Sequence, residues 1–334
     1  SPFPEKKYCE VIAVSRSLCL VTGGAGFIGS HLVEALLQEG YGVRVFDNLS
    51  TGKLENLKGL KGDWDFHKGD LRRPRDIDKA MRGARYVFHV GANRAVLRSV
   101  DNPLETNEVN VTGTLNLLLA ARKAKVKRFI FSSSSSVYGN ARKFPSVETD
   151  TPQPESPYAA SKIMGEYYCR QFASLYGLST VSLRYFNVFG PRQDPESRYS
   201  AVIPIFIDCL LHKKSPEVHW DGRQSRDFSY VDNVVYGNLL AMKAKGVSGE
   251  TFNIACHEEF SVLEILNALK KIMKVQDVVP VFKPKRAGDV RRTFADISKA
   301  KRKLGFRVQT RFYPGLEKTA AWFLSASGQG RRSG

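Results

Sequence analysis

Leu18-Cys19-Leu20-Val21-Thr22-Gly23-Gly24-Ala25-Gly26-Phe27-Ile28-Gly29 is the stretch on which the fold turns. Residues 18–21 form a short apolar run bounded by glycine, the pattern of a buried strand. Residues 30–38 then place Leu32, Val33, Leu36 and Leu37 at helical spacing, and Gly40 closes that helix. Val43-Arg44-Val45-Phe46 reads as a second strand ending in Asp47. Further strands are expected over 86–89, 129–132, 179–184 and 251–254, with helical stretches over 104–124 and 158–176. Strands alternating with helices predict an α/β chain built on a doubly wound parallel sheet. The second half is less regular. The expected division is an N-terminal extension (1–17), a Rossmann domain (18–188 and 229–255), a smaller interleaved α/β lobe (189–228 and 256–324) and a flexible tail (325–334).

Gly23, Gly26 and Gly29 stand between strand and helix, where a dinucleotide loop belongs. The first glycine allows the tight turn, the second lets backbone approach a pyrophosphate, and the third lets helix and strand pack closely. Free amides at the helix start then face the phosphates. Asp47 ends the second strand 18 residues after Gly29, near the spacing of an acid that binds a ribose 2′-hydroxyl. A carboxylate there repels a 2′-phosphate, so NAD is expected rather than NADP. Arg44 points elsewhere by strand alternation.

Composition narrows the class. No apolar run reaches the roughly 20 residues of a membrane span, and residues 1–17 lack the apolar core of a signal peptide; a cytoplasmic protein is expected. Five cysteines without a CxxC pair indicate neither zinc nor a redox motif, and no metal is expected. The net charge is +18. The basic residues are scattered and no nucleic-acid motif with interleaved aromatics accompanies them, so nucleic acid is not the expected partner.

Tyr158 and Lys162 are four residues apart and share a helical face. An ammonium beside a phenol favours the phenolate, which then serves as a general base. The serines at 132–136 end a predicted strand at the mouth of the sheet, where a hydroxyl can hold a substrate oxygen beside Tyr158. Taken alone, a pair at this spacing is as readily a surface helix face; its companions raise it to a site.

Thr22-Gly23-Gly24-Ala25-Gly26-Phe27-Ile28-Gly29, the run 132–139, Tyr158-Ala159-Ala160-Ser161-Lys162 and Arg184-Tyr185-Phe186-Asn187-Val188-Phe189-Gly190 together resemble the extended short-chain dehydrogenases. Within that family the chain is most similar to UDP-hexose 4-epimerases, including the UDP-N-acetylglucosamine branch. The resemblance spans roughly 18–323. It implies Tyr158 as base, Lys162 as its partner and Ser134 as the hydroxyl on the sugar O4. It implies cofactor contacts at Gly23, Gly26, Phe27, Ile28, Gly29, Asp47, Asn48, Asp70, Leu71, Arg94 and Asn110, besides Tyr158 and Lys162. Asp70 corresponds to a residue near the adenine, and Arg94 replaces a lysine on the cofactor phosphates. Substrate contacts are implied at Ser134, Ser136, Tyr158, Asn187, Val202, Arg226, Arg286, Asp289 and Thr293. Of these, Arg226 and Arg286 match diphosphate-binding arginines and Asp289 a uridine-ribose contact.

The same scaffold carries dehydratases and decarboxylases. The former resemble a Thr-Asp-Glu pattern where this chain has Ser134-Ser135-Ser136, and the latter place a glutamate at Ser136. What the resemblance leaves is oxidation and re-reduction at C4 of a UDP-sugar, with NAD tightly held. Thr293 replaces the tyrosine of enzymes limited to plain hexoses, which implies room for an N-acetyl arm. The segment 197–204 also resembles the N-acetylhexosamine branch. A UDP-uronate 4-epimerase using Arg192, or a non-catalytic NAD-binding scaffold suggested by the charge, are the alternatives. Relatives imply a homodimer through the helices 104–124 and 158–176.

Overall fold

The computed structural model describes residues 17–94, 96–195, 201–285 and 290–329. Its centre is a parallel seven-stranded sheet in the order Glu250–Ile254, β6 (Thr180–Tyr185), β5 (Arg128–Ser134), β4 (Ala84–His89), β1 (Leu18–Thr22), β2 (Gly42–Asp47), β3 (Trp64–Lys68). The chain moves outward from β1 to β3, then restarts at β4 on the other side of β1. That reversal opens a crevice above the carboxyl ends of β1 and β4, where ligands of such sheets bind. This is the doubly wound α/β fold expected.

The interior strands are apolar because helices cover both faces. Cys19, Val21, Val43, Val45, Ile130 and Leu183 are almost wholly excluded from solvent, as are Leu32, Val33 and Leu36 of the helix Phe27–Gln38. On the opposite face Leu117, Leu118 and Ala121 of the helix Gly113–Lys123 pack with Leu20, Val87 and Phe129. β3 has no sequence signal of an apolar run: Trp-Asp-Phe-His-Lys is an edge strand, partly exposed at every position.

The predicted helix 104–124 is three consecutive pieces: Pro103–Asn107, a π-helical turn Glu108–Thr112 and Gly113–Lys123. Apart from the main sheet, Ser225–Asp227 pairs with Glu259–Ser261 and with Arg292–Thr293 in a small sheet. The final helix runs Phe312–Gln329, so the beginning of the expected flexible tail is helical. Packing explains this: Phe312, Leu316, Ala320 and Phe323 lie on one buried face, which carries the helix outward. No helix among the described residues is long and apolar enough to cross a membrane.

Candidate active site

A cleft of about 850 Å³ lies above the β1–β4 reversal. Gly23 begins it with φ of 66°, a left-handed conformation that a side chain resists. A Cβ on Gly23 would sit 2.6 Å from the Gly91 Cα, and one on Gly29 only 2.1 Å from the Gly23 oxygen. The loop is therefore closed on itself by the absence of side chains. No side chain caps the helix Phe27–Gln38, and Gly26, Phe27, Ile28 and Gly29 all line the cleft. An uncapped helix start of this kind suits a pyrophosphate.

Asp47 stands at the end of β2 on the same wall. Its Oδ2 accepts the Ala25 N–H at 3.0 Å and its Oδ1 the Leu49 N–H at 2.8 Å. Burial pushes its pKa up and these amides oppose the shift. Arg44 is turned to the other face, where it donates to Asp65 and to the carbonyls of Ala80 and Arg82. Asn48, Asp70 and Leu71 continue the wall. Asp70 is held by Arg72, whose guanidinium brings its pKa down to about 2.

Arg94 lines the cleft, but Asn110 does not. The amide of Asn110 is fully engaged elsewhere: it accepts from the Asn93 N–H at 2.7 Å and donates to the Asn93 oxygen and the Ser161 hydroxyl, each at 3.0 Å. It therefore clamps the Asn93–Arg94 loop to the helix Pro157–Tyr176 instead of facing the cleft. The sequence cannot show which way a buried amide points.

Ser156 caps the helix Pro157–Tyr176, and Gly177 ends it in a left-handed cap. Tyr158 and Lys162 look from it into the cleft. Ser134, at the end of β5, is the polar neighbour that opposes the effect of burial on Tyr158, and it is not itself among the residues that line the cleft. Burial raises the Tyr158 pKa, with Ser134 and the Arg94 charge opposing, so the lowered phenol expected from the sequence is not found. The reason is geometric: the Lys162 Nζ sits 5.7 Å from the Tyr158 ring centre and donates to the Ser132 oxygen at 2.8 Å. Burial brings the Lys162 pKa down to about 8. The Ser136 hydroxyl donates to Ser134 Oγ at 3.0 Å.

On the lobe side, Asn187 reaches across to Arg292–Thr293: its Nδ2 donates to Thr293 Oγ1 and to the Asp227 oxygen, each at 3.0 Å. Arg226 pairs with Thr293 in the small sheet and donates to the Val290 oxygen at 2.7 Å. Val202 begins the helix Val202–Leu211. Arg286 and Asp289 lie outside the described residues. Arg192 lies in the cleft wall, but its guanidinium donates to Glu34 at 2.5 Å. Among the lining residues that had no sequence signal are Lys53, which bridges to Asp194 at 3.5 Å, and Trp322 and Phe323 from the last helix. Nothing in their spacing marks them, since they meet the site only through the tertiary fold. Among the described residues no cluster of His, Cys, Asp or Glu is placed to hold a metal.

The bare glycine loop, the uncapped helix start and an acid rather than a cation at the strand end together fit NAD. A model of the NAD dependent epimerase/dehydratase family matches residues 19–255. The chain belongs to that family. As a member it shares 38% identity with the UDP-glucose 4-epimerase of Mycolicibacterium smegmatis over 317 residues, 92% of this chain and 99% of the relative. Its structure is similar to the UDP-N-acetylglucosamine 4-epimerase of Methanobrevibacter ruminantium in complex with UDP-N-acetylmuramic acid, with a TM-score of 0.89 at 38% identity over 93% and 99% of the two chains. It is similar also to the UDP-glucose 4-epimerase of Thermotoga maritima with UDP-glucose, with a TM-score of 0.88 at 41% identity over 93% and 99%. This epimerase/dehydratase family member thus shares both its fold and nearly its full length with UDP-sugar 4-epimerases.

Proposed function

We propose that the chain is a UDP-sugar 4-epimerase that retains NAD and interconverts UDP-N-acetylglucosamine and UDP-N-acetylgalactosamine, together with the plain hexose pair. The observation that carries the reading is that Tyr158 and Lys162, one turn apart on one helix, line the same cleft as Gly23, Gly26, Gly29 and Asp47. Ser134 holds the sugar O4 and Tyr158 takes its proton. Gly23, Gly26, Gly29 and Asp47 hold the cofactor, with Lys162 and Arg94 beside it. NAD, when bound, supplies the hydride acceptor and donor at C4. Serines, rather than the carboxylates that proton transfer at other carbons would use, stand at positions 134–136. Arg226 and Asn187 serve the nucleotide diphosphate side, which stays anchored while a 4-keto sugar turns.

The acceptance of an N-acetyl arm rests on Thr293, whose small side chain is bonded to Asn187. A uronate reading is disfavoured by Arg192, since Glu34 already neutralises it. The test is a panel of UDP-sugars with products read by NMR. Both N-acetylated sugars are expected to interconvert, and Thr293→Tyr to abolish that reaction by overfilling the pocket while sparing UDP-galactose. Turnover of UDP-glucuronate alone would overturn the assignment.

A further inference from the structure

Glu166 lies one helical turn beyond Lys162, as Lys162 lies one turn beyond Tyr158, so the three share a face of Pro157–Tyr176. Its side chain is 1% exposed and that of its partner Arg184, on β6, is 3% exposed. The pair is forked: Arg184 Nε donates to Oε1 at 2.9 Å and Nη2 to Oε2 at 2.7 Å. Ser133 Oγ donates to the same Oε1 at 2.5 Å. The neighbouring residue, Ser132, is the one whose carbonyl receives the Lys162 ammonium. Neither Glu166 nor Arg184 lines the cleft.

A buried ion pair is a poor source of stability, because desolvation offsets its attraction and an apolar pair often packs as well. Its placement behind the lysine calls for another account. We infer that Glu166 is a positioning residue for the epimerisation: through Ser133 it fixes the strand end that receives Lys162, and its charge holds the ammonium beside Tyr158. The inference rests on the reading of Tyr158 as the base.

The groups around Lys162 give the sign of the effect. On its own helix these are Tyr158 and Glu166. From β4 comes His89, whose burial takes its pKa down to about 3, so that it is neutral. From β5 come Ser132 and the Phe131 ring, 5.1 Å from Nζ. β6 carries Arg184 and Tyr185, the latter pushed up to about 12. Arg94, from the loop after β4, acts on Tyr158. Among them Glu166 is the group that raises the Lys162 pKa against burial. Removing its charge makes Lys162 lose its proton at lower pH.

The test uses the full chain with both charges removed, Glu166→Gln with Arg184→Met, so that the Arg184 guanidinium is not orphaned while Lys162 loses the charge that acts on it. With a UDP-sugar that the parent turns over, kcat is expected to fall about tenfold, a fraction of a general base's contribution, with KM and NAD content kept. The alkaline limb of kcat should move down by about half a pH unit or more, the size of a modest charge interaction. Ser133→Ala, which keeps the pair, should lower kcat by a few-fold and leave the limb in place. A ¹³C titration of the Lys162 ε-methylene, assigned with Lys162→Arg, reads the same shift without turnover and should show it in the double variant. An unmoved lysine titration, or parental kcat and pH profile whatever the melting temperature, overturns the inference. A parent inactive on every UDP-sugar sinks the functional reading instead, and the lysine titration still decides the role of Glu166.

Discussion

Tyr158 is a phenol that its surroundings hold in the neutral form until something opposes burial. Ser134 and Arg94 are the opposing groups present in the chain itself. Tyr158→Phe keeps the ring and removes the proton acceptor. Its turnover should fall by more than about 100-fold, the lower range for a general base, while NAD released on denaturation stays at the parental amount. A Phe variant with parental turnover would remove Tyr158 from the mechanism. The tyrosine and lysine were legible because helical spacing alone puts them on one face. Asn110 was not: its identity suits a cofactor contact, yet its amide is saturated by Asn93 and Ser161. The pairing of Glu166 with Arg184 left no sequence signal either, since a contact between a helix and the strand that follows it has no periodicity.

At the scale of elements, His89 ties three of them together. One ring nitrogen lies 2.8 Å from the Thr22 hydroxyl on β1 and the other 2.8 Å from Thr114 on the helix Gly113–Lys123. Burial depresses its pKa to about 3 from an ordinary 6.5. Below pH 6.5 the unfolded chain binds a proton there that the folded chain refuses. The stability is therefore fully present above pH 6.5 and is lost progressively as pH falls toward 3. Between pH 6.5 and 5 the loss should be about 2 kcal/mol from this one residue. Urea unfolding at the two pH values checks it, and His89→Gln should flatten the dependence; an equally steep slope in the variant would mean that other groups set it. The central strands were legible because both faces are covered and their apolar runs are continuous. The edge strand Trp64–Lys68 was missed for the converse reason: half its groups meet water, so its sequence alternates charge with aromatic bulk. The helical break at Glu108–Thr112 also escaped, since a π turn leaves the apolar spacing on either side intact.

For the whole molecule, the helices Pro103–Asn107, Gly113–Lys123 and Pro157–Tyr176 leave Leu104, Leu119, Met164, Tyr167 and Leu175 exposed, Leu104 by 77% and Leu175 by 70%. Apolar side chains gathered on one side of a protein mark an interface, and a second copy of the chain is the occupant proposed. Sedimentation should give twice the 37.4 kDa chain, and Leu104→Glu with Leu175→Glu should give the monomer. A monomeric parent would refute this.

The sheet order has a consequence for how the molecule is born. Glu250–Ile254 pairs with β6, with Glu250 set against Val181, after residues 186–249 have been threaded between them. A chain emerging from the ribosome carries β6 as a raw border, its amides and carbonyls unmatched, until Ile254 has been delivered. Pairings this distant in sequence form late. The central sheet is therefore completed only after residues 186–249 have been made, and a chain ending before Glu250 would leave β6 as an open edge.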